Sequence, residues 1–98
     1  MPRIRITPEE VRGEARDLKN SKVENDSAIK RIDQIVNGLL SHWHGEAQTA
    51  FVNSYNQKRQ GFVAFSRDIE TLANFADRFA NNMANEEREK ANRARTLA

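Results

Sequence analysis

The segment Ser41-His42-Trp43-His44-Gly45 lies near the middle of this 98-residue chain and separates two long stretches of regular apolar spacing. Glycine tolerates the positive φ that a chain reversal needs, and Gly45 stands at the end of the segment. No proline or long polar cluster accompanies it, which favours the short connection typical of helix–helix hairpins. We therefore predict two helices joined by a turn over residues 41–45.

The stretch before the turn has the features of one long helix. Thr7-Pro8-Glu9-Glu10 combines an N-capping threonine, a proline suited to the first helical position and a glutamate that completes a capping box. Lys22 and Asn25 stand where the heptad pattern lacks apolar residues, as polar groups that set register or oligomeric state do. The pattern predicts an N-terminal arm over residues 1–7 and a pairing helix over residues 8–40. Its apolar members are Val11, Ala15, Leu18, Ile29, Ile32, Val36 and Leu39.

After the turn, the same alternation of four and three residues continues without a slip. Its members are Phe51, Tyr55, Lys58, Phe62, Phe65, Ile69, Leu72, Ala76, Phe79 and Met83. We predict helix 2 over about residues 46–84, because the charge of Glu46 suits a helix N-terminus. Residues 85–98 lose the apolar pattern but keep helix-favouring residues. This polar C-terminal tail is either a solvated extension of the helix or a flexible segment.

A single hairpin of this kind leaves apolar side chains in water. A turn centred near residues 43–44 places residue i opposite roughly residue 87 − i, so that Leu18 faces Ile69 and Ala15 faces Leu72. Further apolar residues lie beside that seam, and exposed patches of this size indicate a partner. We therefore predict an all-α antiparallel helix–turn–helix hairpin that dimerises into a four-helix bundle. The residues expected to pack within the hairpin or across the dimer are Ile29, Ile32, Val36, Leu39, Phe51, Tyr55, Phe62, Phe65, Ile69, Leu72, Phe75 and Phe79.

Composition excludes most enzyme classes. The chain has no cysteine, which removes disulfides, thiolate nucleophiles and cysteine zinc sites. His42 and His44, with Glu46 nearby, are too few ligands for a protein zinc site, and no triad or glycine-rich phosphate loop is evident. We expect a non-enzymatic protein without cofactor or metal. No stretch is apolar enough to span a membrane, and we expect no cleavable signal peptide.

The net charge of +2 does not form a basic surface on the helical body. The excess is +2 over residues 1–7 and +1 over residues 86–98, whereas residues 8–85 carry ten basic and eleven acidic side chains. No nucleic-acid partner is therefore expected. The alternative is a cytosolic helical adaptor or weak nucleic-acid binder that uses the basic residues of the tail, namely Arg88, Arg93 and Arg95.

Trp43 requires a separate explanation, because tryptophan is costly to leave in water. It either caps the end of the bundle or is presented to a partner. With the central Trp43-His44-Gly45 turn, two heptad helices of similar length and a polar tail, the whole chain resembles the WXG family of small type VII secretion substrates, the relatives of the early secreted antigenic target.

The resemblance implies a secreted protein of a Gram-positive bacterium that acts in virulence or competition, or as a co-exported carrier. It also implies export as a dimer, with itself or with a related WXG protein. In the family, the Trp-X-Gly of one protomer and a C-terminal motif of the other form a composite secretion signal that the secretion ATPase reads. The matching residues are Trp43, Gly45, Met83 and Glu87. A larger toxin's helical domain is a further possible partner.

Overall fold

The structure is a computed structural model in which residues 6–97 are described. It contains two α-helices, α1 over Pro8–Leu40 and α2 over Glu46–Leu97, and the described residues include no strand. The helices pack against each other as a hairpin, and the molecule is a rod of 80 × 23 × 22 Å. The predicted all-α helix–turn–helix fold is thereby confirmed.

Helix α1 begins as the sequence predicts. Thr7 has extended backbone angles (φ −94°, ψ 156°), and its hydroxyl accepts a hydrogen bond from the backbone N–H of Glu10 at 3.1 Å. Pro8 follows as the first helical residue and is buried. The side chain thus satisfies one of the backbone N–H groups that a helix start leaves without a partner. Most of the arm predicted over residues 1–7 lies outside the described residues.

Helix α2 continues beyond the end predicted near residue 84 and reaches Leu97. Residues 85–96 are all exposed, so this segment is a solvated helical extension, the first of the two predicted alternatives. Residues with high helix propensity and the ion pair between Glu89 and Arg93 at 4.0 Å support it without tertiary packing.

The contact between the two helices uses small side chains on α2. The buried residues of α1 include Ala15, Ile29 and Val36, all members of the predicted stripe. In contrast, the predicted stripe of helix 2 contained only one of the buried residues on α2, Ile69. Those buried residues are Ser66, Ile69, Ala73 and Ala80.

Leu72 was expected to face Ala15 of helix 1 but does not do so, and neither do its neighbours on the stripe, Phe65 and Phe79. Phe65, Leu72 and Phe79 are 57–58% exposed, and each directly precedes one of the small buried residues. One residue along an α-helix is a rotation of about 100°, so the large side chains point away from the seam. Alanine and serine let two helices approach closely, and α2 therefore turns its small residues toward α1. The predicted orientation of helix 2 is corrected accordingly.

The side-chain contacts between the helices lie at the predicted register or a few residues beyond it. The Asn25 amide donates to the carbonyl of Phe62, the residue predicted opposite it. Ser66 Oγ donates to Asp26 Oδ1 at 2.6 Å, whereas residue 61 was predicted opposite residue 26. Arg59 Nε donates to Asp33 Oδ1 at 2.9 Å, whereas residue 54 was predicted opposite residue 33. Helical side chains tilt toward the N-terminus of their own helix, so contacts between antiparallel helices join residues a few positions beyond those whose backbones lie level.

Candidate interaction surfaces

The turn presents Trp43 at one end of the rod. Gly45 has a φ of 124°, the only positive φ among the described residues, and thereby directs the chain into α2. The ring centroids of Trp43 and Phe51 lie 5.4 Å apart with a tilt of 51°, within the range of favourable aromatic pairs. Trp43 is half-buried, and its indole N–H makes no hydrogen bond to the described residues. It therefore packs on Phe51 and still offers part of its surface and its N–H to a partner.

One face of the hairpin, which we term the polar face, is closed by hydrogen bonds and ion pairs between the helices. Lys19 Nζ lies 2.6 Å from Asp77 Oδ2, and Lys22 Nζ lies 3.4 Å from Glu70 Oε2. These pairs are part-exposed, so each contributes little stability in water, but together they fix which residues lie opposite each other. The polar face consists of Arg12, Lys19, Lys22, Asp26, Asp33, Arg59, Glu70, Asp77 and Asn81.

The Asp33 carboxylate is the best-connected acceptor on the polar face. Arg59 donates from Nε at 2.9 Å and from Nη2 at 3.0 Å to its two oxygens, and the Tyr55 hydroxyl donates to Oδ1. The hydrogen bonds from Arg59 and then from Tyr55 hold the pKa of Asp33 below its ordinary value. The same contact with Asp33 raises the pKa of Tyr55. Two-point Arg–carboxylate geometry adds orientation as well as attraction.

A second polar cluster fills the gap in the apolar pattern of α1. The Asn25 amide donates to the backbone carbonyl of Phe62 at 3.1 Å and to Ser66 Oγ at 2.7 Å. Asp26 accepts from Ser66 and from Lys22 Nζ, the latter at 2.8 Å. The hydrogen bond from Lys22 and then that from Ser66 lower the pKa of Asp26. Lys22 and Asn25, singled out from the sequence, therefore both make specific polar contacts between or beside the helices.

The opposite face, which we term the apolar face, exposes large hydrophobic side chains. A groove of about 560 Å³ runs between the helices on this side, bordered by Leu18 and Asn25 from α1 and by Phe65, Ile69 and Leu72 from α2. Exposed hydrophobic residues continue this surface along both helices at heptad spacing from the groove residues. They are Ile35, Leu39, Phe51, Phe62 and Phe79.

An aromatic pair extends the apolar face toward the far end of the hairpin. The rings of Phe75 and Phe79 stack with centroids 5.9 Å apart, and the Arg78 guanidinium lies 4.7 Å from the Phe75 ring. Phe75 is nevertheless 47% exposed. Since exposed apolar surface of this extent marks an interaction site, the apolar face is a candidate for contact with a second protein.

The residues that the resemblance implied for a secretion signal do not meet within one protomer. Met83 is half-buried and Glu87 is exposed, and the i, i+4 spacing places them on one side of α2. They lie just beyond Asn81, which accepts from Arg12 near the start of α1. Trp43 and Gly45 lie at the opposite end, in the turn. In one hairpin, the Trp-X-Gly turn and the C-terminal motif therefore lie at opposite ends.

Sequence reasoning missed the polar residues that form hydrogen bonds between the two helices. Asp26 and Asp33 are seven residues apart on α1, and Arg59 and Ser66 are seven residues apart on α2. This heptad spacing beside the apolar stripe was the available signal, because it places complementary groups repeatedly along one edge of a helix pair.

The part of the chain over residues 6–97 has no helix with the length and apolar character needed to cross a membrane. It also contains no group of three or more His, Asp and Glu side chains placed to hold a metal ion. His42 Nδ1 instead lies 3.0 Å from Ser41 Oγ in the turn.

Relatives of the chain share its length and shape. YukE of Bacillus subtilis (strain 168) is 28% identical over 92 residues, which cover 94% of this chain and 95% of YukE. The crystal structure of the secreted protein EsxB from Bacillus anthracis has a TM-score of 0.79 and 30% identity, and the match covers 89% of this chain and 99% of EsxB. EsxA of Geobacillus thermodenitrificans matches with a TM-score of 0.80 and 27% identity, over 91% of this chain and 97% of EsxA.

The family profile WXG100, described as "Proteins of 100 residues with WXG", matches residues 3–88. That range includes both packed parts of the helices and the Trp43-His44-Gly45 turn. The chain therefore belongs to the WXG100 family, the ESAT-like family of small type VII secretion substrates.

Proposed function

We propose that this protein is exported by a type VII secretion system as a homodimer and acts outside the cell, as an effector or as a co-exported carrier, without catalysing a reaction. Membership of the WXG100 family and the description of EsxB as a secreted protein support export. The observation that carries the proposal is the half-buried Trp43 in a Trp-X-Gly turn, whose indole N–H has no partner in residues 6–97.

A second copy of the chain is the proposed cover for the apolar face. Phe65 and Leu72 are more than half exposed although they are among the most apolar residues of the chain. Two hairpins packed through these faces form a four-helix bundle, which removes that surface from water. A related WXG protein or the helical domain of a larger toxin would cover the same face.

Antiparallel packing of two hairpins accounts for a composite secretion signal. Trp43 lies at the turn end of the rod, and Met83 and Glu87 lie at the other end. In an antiparallel dimer, the turn of one protomer lies beside the C-terminal extension of its partner. We propose that Trp43 and Gly45, together with the partner's Met83 and the partner's Glu87, form the surface that the secretion ATPase reads.

Release from cells that carry a type VII system tests the proposal. Trp43→Ala is expected to keep a helical dimer, because the turn geometry depends on Gly45, yet to disappear from the culture medium. Dimerisation is measured by sedimentation and helicity by circular dichroism on the purified variant. Release is measured by immunoblot of medium and cells.

His44→Ala is the matched control, because His44 lies between the two recognition residues and is exposed. We expect this variant to be released like the wild type. Normal release of Trp43→Ala would contradict the proposed role and would leave Trp43 as a cap that packs on Phe51.

A further inference from the structure

Lys58 is the one charged residue on the line of large side chains along α2. That line repeats every seven residues, as Phe51, Lys58, Phe65, Leu72 and Phe79. Within residues 6–97, Lys58 forms no ion pair. Any partner that covers this line must offer Lys58 an acceptor, because an ammonium group that is removed from water without one is strongly unfavourable.

A neighbouring line of α2 also repeats every seven residues, as Ser54, Gly61, Asp68 and Phe75. Its side chains are complementary in charge and size to those of the first line. It contains Asp68, which borders the groove of the apolar face and likewise makes no ion pair among the described residues. It also contains Gly61, although glycine in a helix interior is less stable than alanine. A Cβ at Gly61 would meet nothing within 4 Å in its own protomer, so packing within the hairpin does not require glycine there.

We propose that, in the homodimer on which the proposed function rests, α2 packs antiparallel to the partner's α2 with Lys58 opposite the partner's Asp68 and Phe65 opposite the partner's Gly61. By the two-fold symmetry, each of these contacts occurs twice. The ammonium group then has a carboxylate, and the glycine provides room for an aromatic ring. The complementary groups lie on one chain, and this favours a second copy of it over a different partner.

The same register makes the remaining layers complementary. Leu72 lies opposite the partner's Ser54, so that a large side chain again meets a small one. Phe51 lies opposite the partner's Phe75, which pairs two aromatic rings. The two-fold axis crosses α2 at the level of residue 63, halfway along the helix between Lys58 and Asp68. That position is also the midpoint between the start of α2 at Glu46 and its last fully packed residue, Ala80, so both hairpins overlap along their whole packed length.

Other registers at heptad spacing lose this complementarity. A slip of one heptad places Asp68 opposite the partner's Phe65 or the partner's Phe51, which leaves a carboxylate against an aromatic ring. A parallel arrangement brings Lys58 beside the partner's Lys58, and like charges in such a layer are destabilising.

Charge reversal tests the register without changing the hairpin. Lys58→Glu and Asp68→Lys, each purified alone, should dissociate about tenfold more readily than the wild type, because each homodimer brings two like-charged pairs together. Mixed in equal amounts, the two variants restore both opposite-charge pairs. They should therefore form a heterodimer as tight as the wild-type dimer and in excess over either homodimer. Sedimentation equilibrium gives the affinities, and native mass spectrometry with one variant mass-labelled gives the proportions.

Arg67→Glu is the control, because it reverses an exposed charge of α2 off both lines, and it should leave the affinity unchanged.

A second pair of variants tests the steric layer. Gly61→Leu should weaken the dimer about tenfold through its clash with the partner's Phe65, whereas Gln60→Leu, at an exposed position seven residues before Arg67 and off both lines, should not.

The proposed register is overturned if the charge variants dimerise like the wild type, or if their mixture contains only the statistical proportion of heterodimer. If the wild type is dimeric and Trp43 is required for release while the charge exchange fails, only the register is wrong. If the wild type is monomeric at all concentrations, the dimer of the proposed function fails as well.

Discussion

The polar face and the apolar face belong to the same two helices but are closed in different ways. On the polar face, charged side chains find their partners on the other helix of the same protomer, as Lys19 does with Asp77 and Asp33 does with Arg59. On the apolar face, Phe65 and Leu72 border an open groove. The comparison shows that polar contacts specify how the two helices of one protomer pack against each other, while most of the large apolar side chains remain exposed on that protomer.

The size of the side chains in the seam reinforces this division. Ala73 and Ala80 are fully buried between the helices, whereas the larger residues next to them in sequence are exposed. A seam of small residues gives close contact but little buried apolar area, because the hydrophobic contribution scales with that area. The hairpin is therefore expected to gain much of its stability from the second copy.

The largest expected effect comes from placing a charge on the apolar face. Leu72→Asp should raise the dimer dissociation constant at least about 100-fold, equivalent to about 2.7 kcal/mol, because the carboxylate would be buried without a partner. Sedimentation equilibrium over a dilution series measures this change.

Val23→Asp is the control for that experiment. Val23 is 60% exposed on α1 but takes no part in the groove, so the same charge there should leave the dissociation constant within about twofold. Equal effects of the two substitutions would show that the apolar face is not the contact surface.

A smaller effect is expected from overpacking the seam. Ala73→Leu should destabilise the protein by about 1–3 kcal/mol, because Ala73 has no exposed surface and the helices cannot separate without losing their polar contacts. Urea denaturation measures the free energy of unfolding. Ala64→Leu adds the same atoms at an exposed position and should change it by less than about 0.5 kcal/mol. A tolerated leucine at residue 73 would contradict the close approach of the helices there.

Acid should weaken the polar face more modestly. The pKa values of Asp26 and Asp33 are lowered in the folded protein. Their contribution to stability is therefore complete above the ordinary aspartate pKa of about 4 and is lost as the pH falls through the lower folded pKa. Thermal unfolding between pH 7 and pH 2 should show the melting temperature falling in this window. Asp33→Asn should make that fall shallower, whereas Asp17→Asn, which makes no contact across the helices, should not.

The sequence predicted the helices and the turn because these depend on local signals. Thr7 and Pro8 mark the start of α1, and Gly45 takes the positive φ expected of it. The sequence did not predict which side of α2 contacts α1. Apolar residues lie both at the contact with α1 and on the exposed apolar face, and they repeat with the same period on both. Ser66 gave no hydrophobic signal, and the pairing of Asp33 with Arg59 depends on how far the two side chains reach along the helices, which no local pattern specifies.

The half-buried Trp43 illustrates the same limit at the candidate recognition site. Its position in the turn could be predicted from the interruption of the heptad pattern between residues 40 and 46. Its contact with Phe51 could not, because that contact depends on how α2 leaves the turn. The distance along the rod between Trp43 and Met83 likewise became evident only from the antiparallel pairing of the helices.

Sedimentation equilibrium of the wild-type protein, with circular dichroism at the same concentrations, tests the central division between the two faces most directly. The account predicts a species of about 22 kDa, twice the 11.2 kDa chain, that dissociates and loses helix on dilution below micromolar concentration. An 11.2 kDa species that remains fully helical at those concentrations would contradict it, because the apolar face would then be stable in water without a second copy.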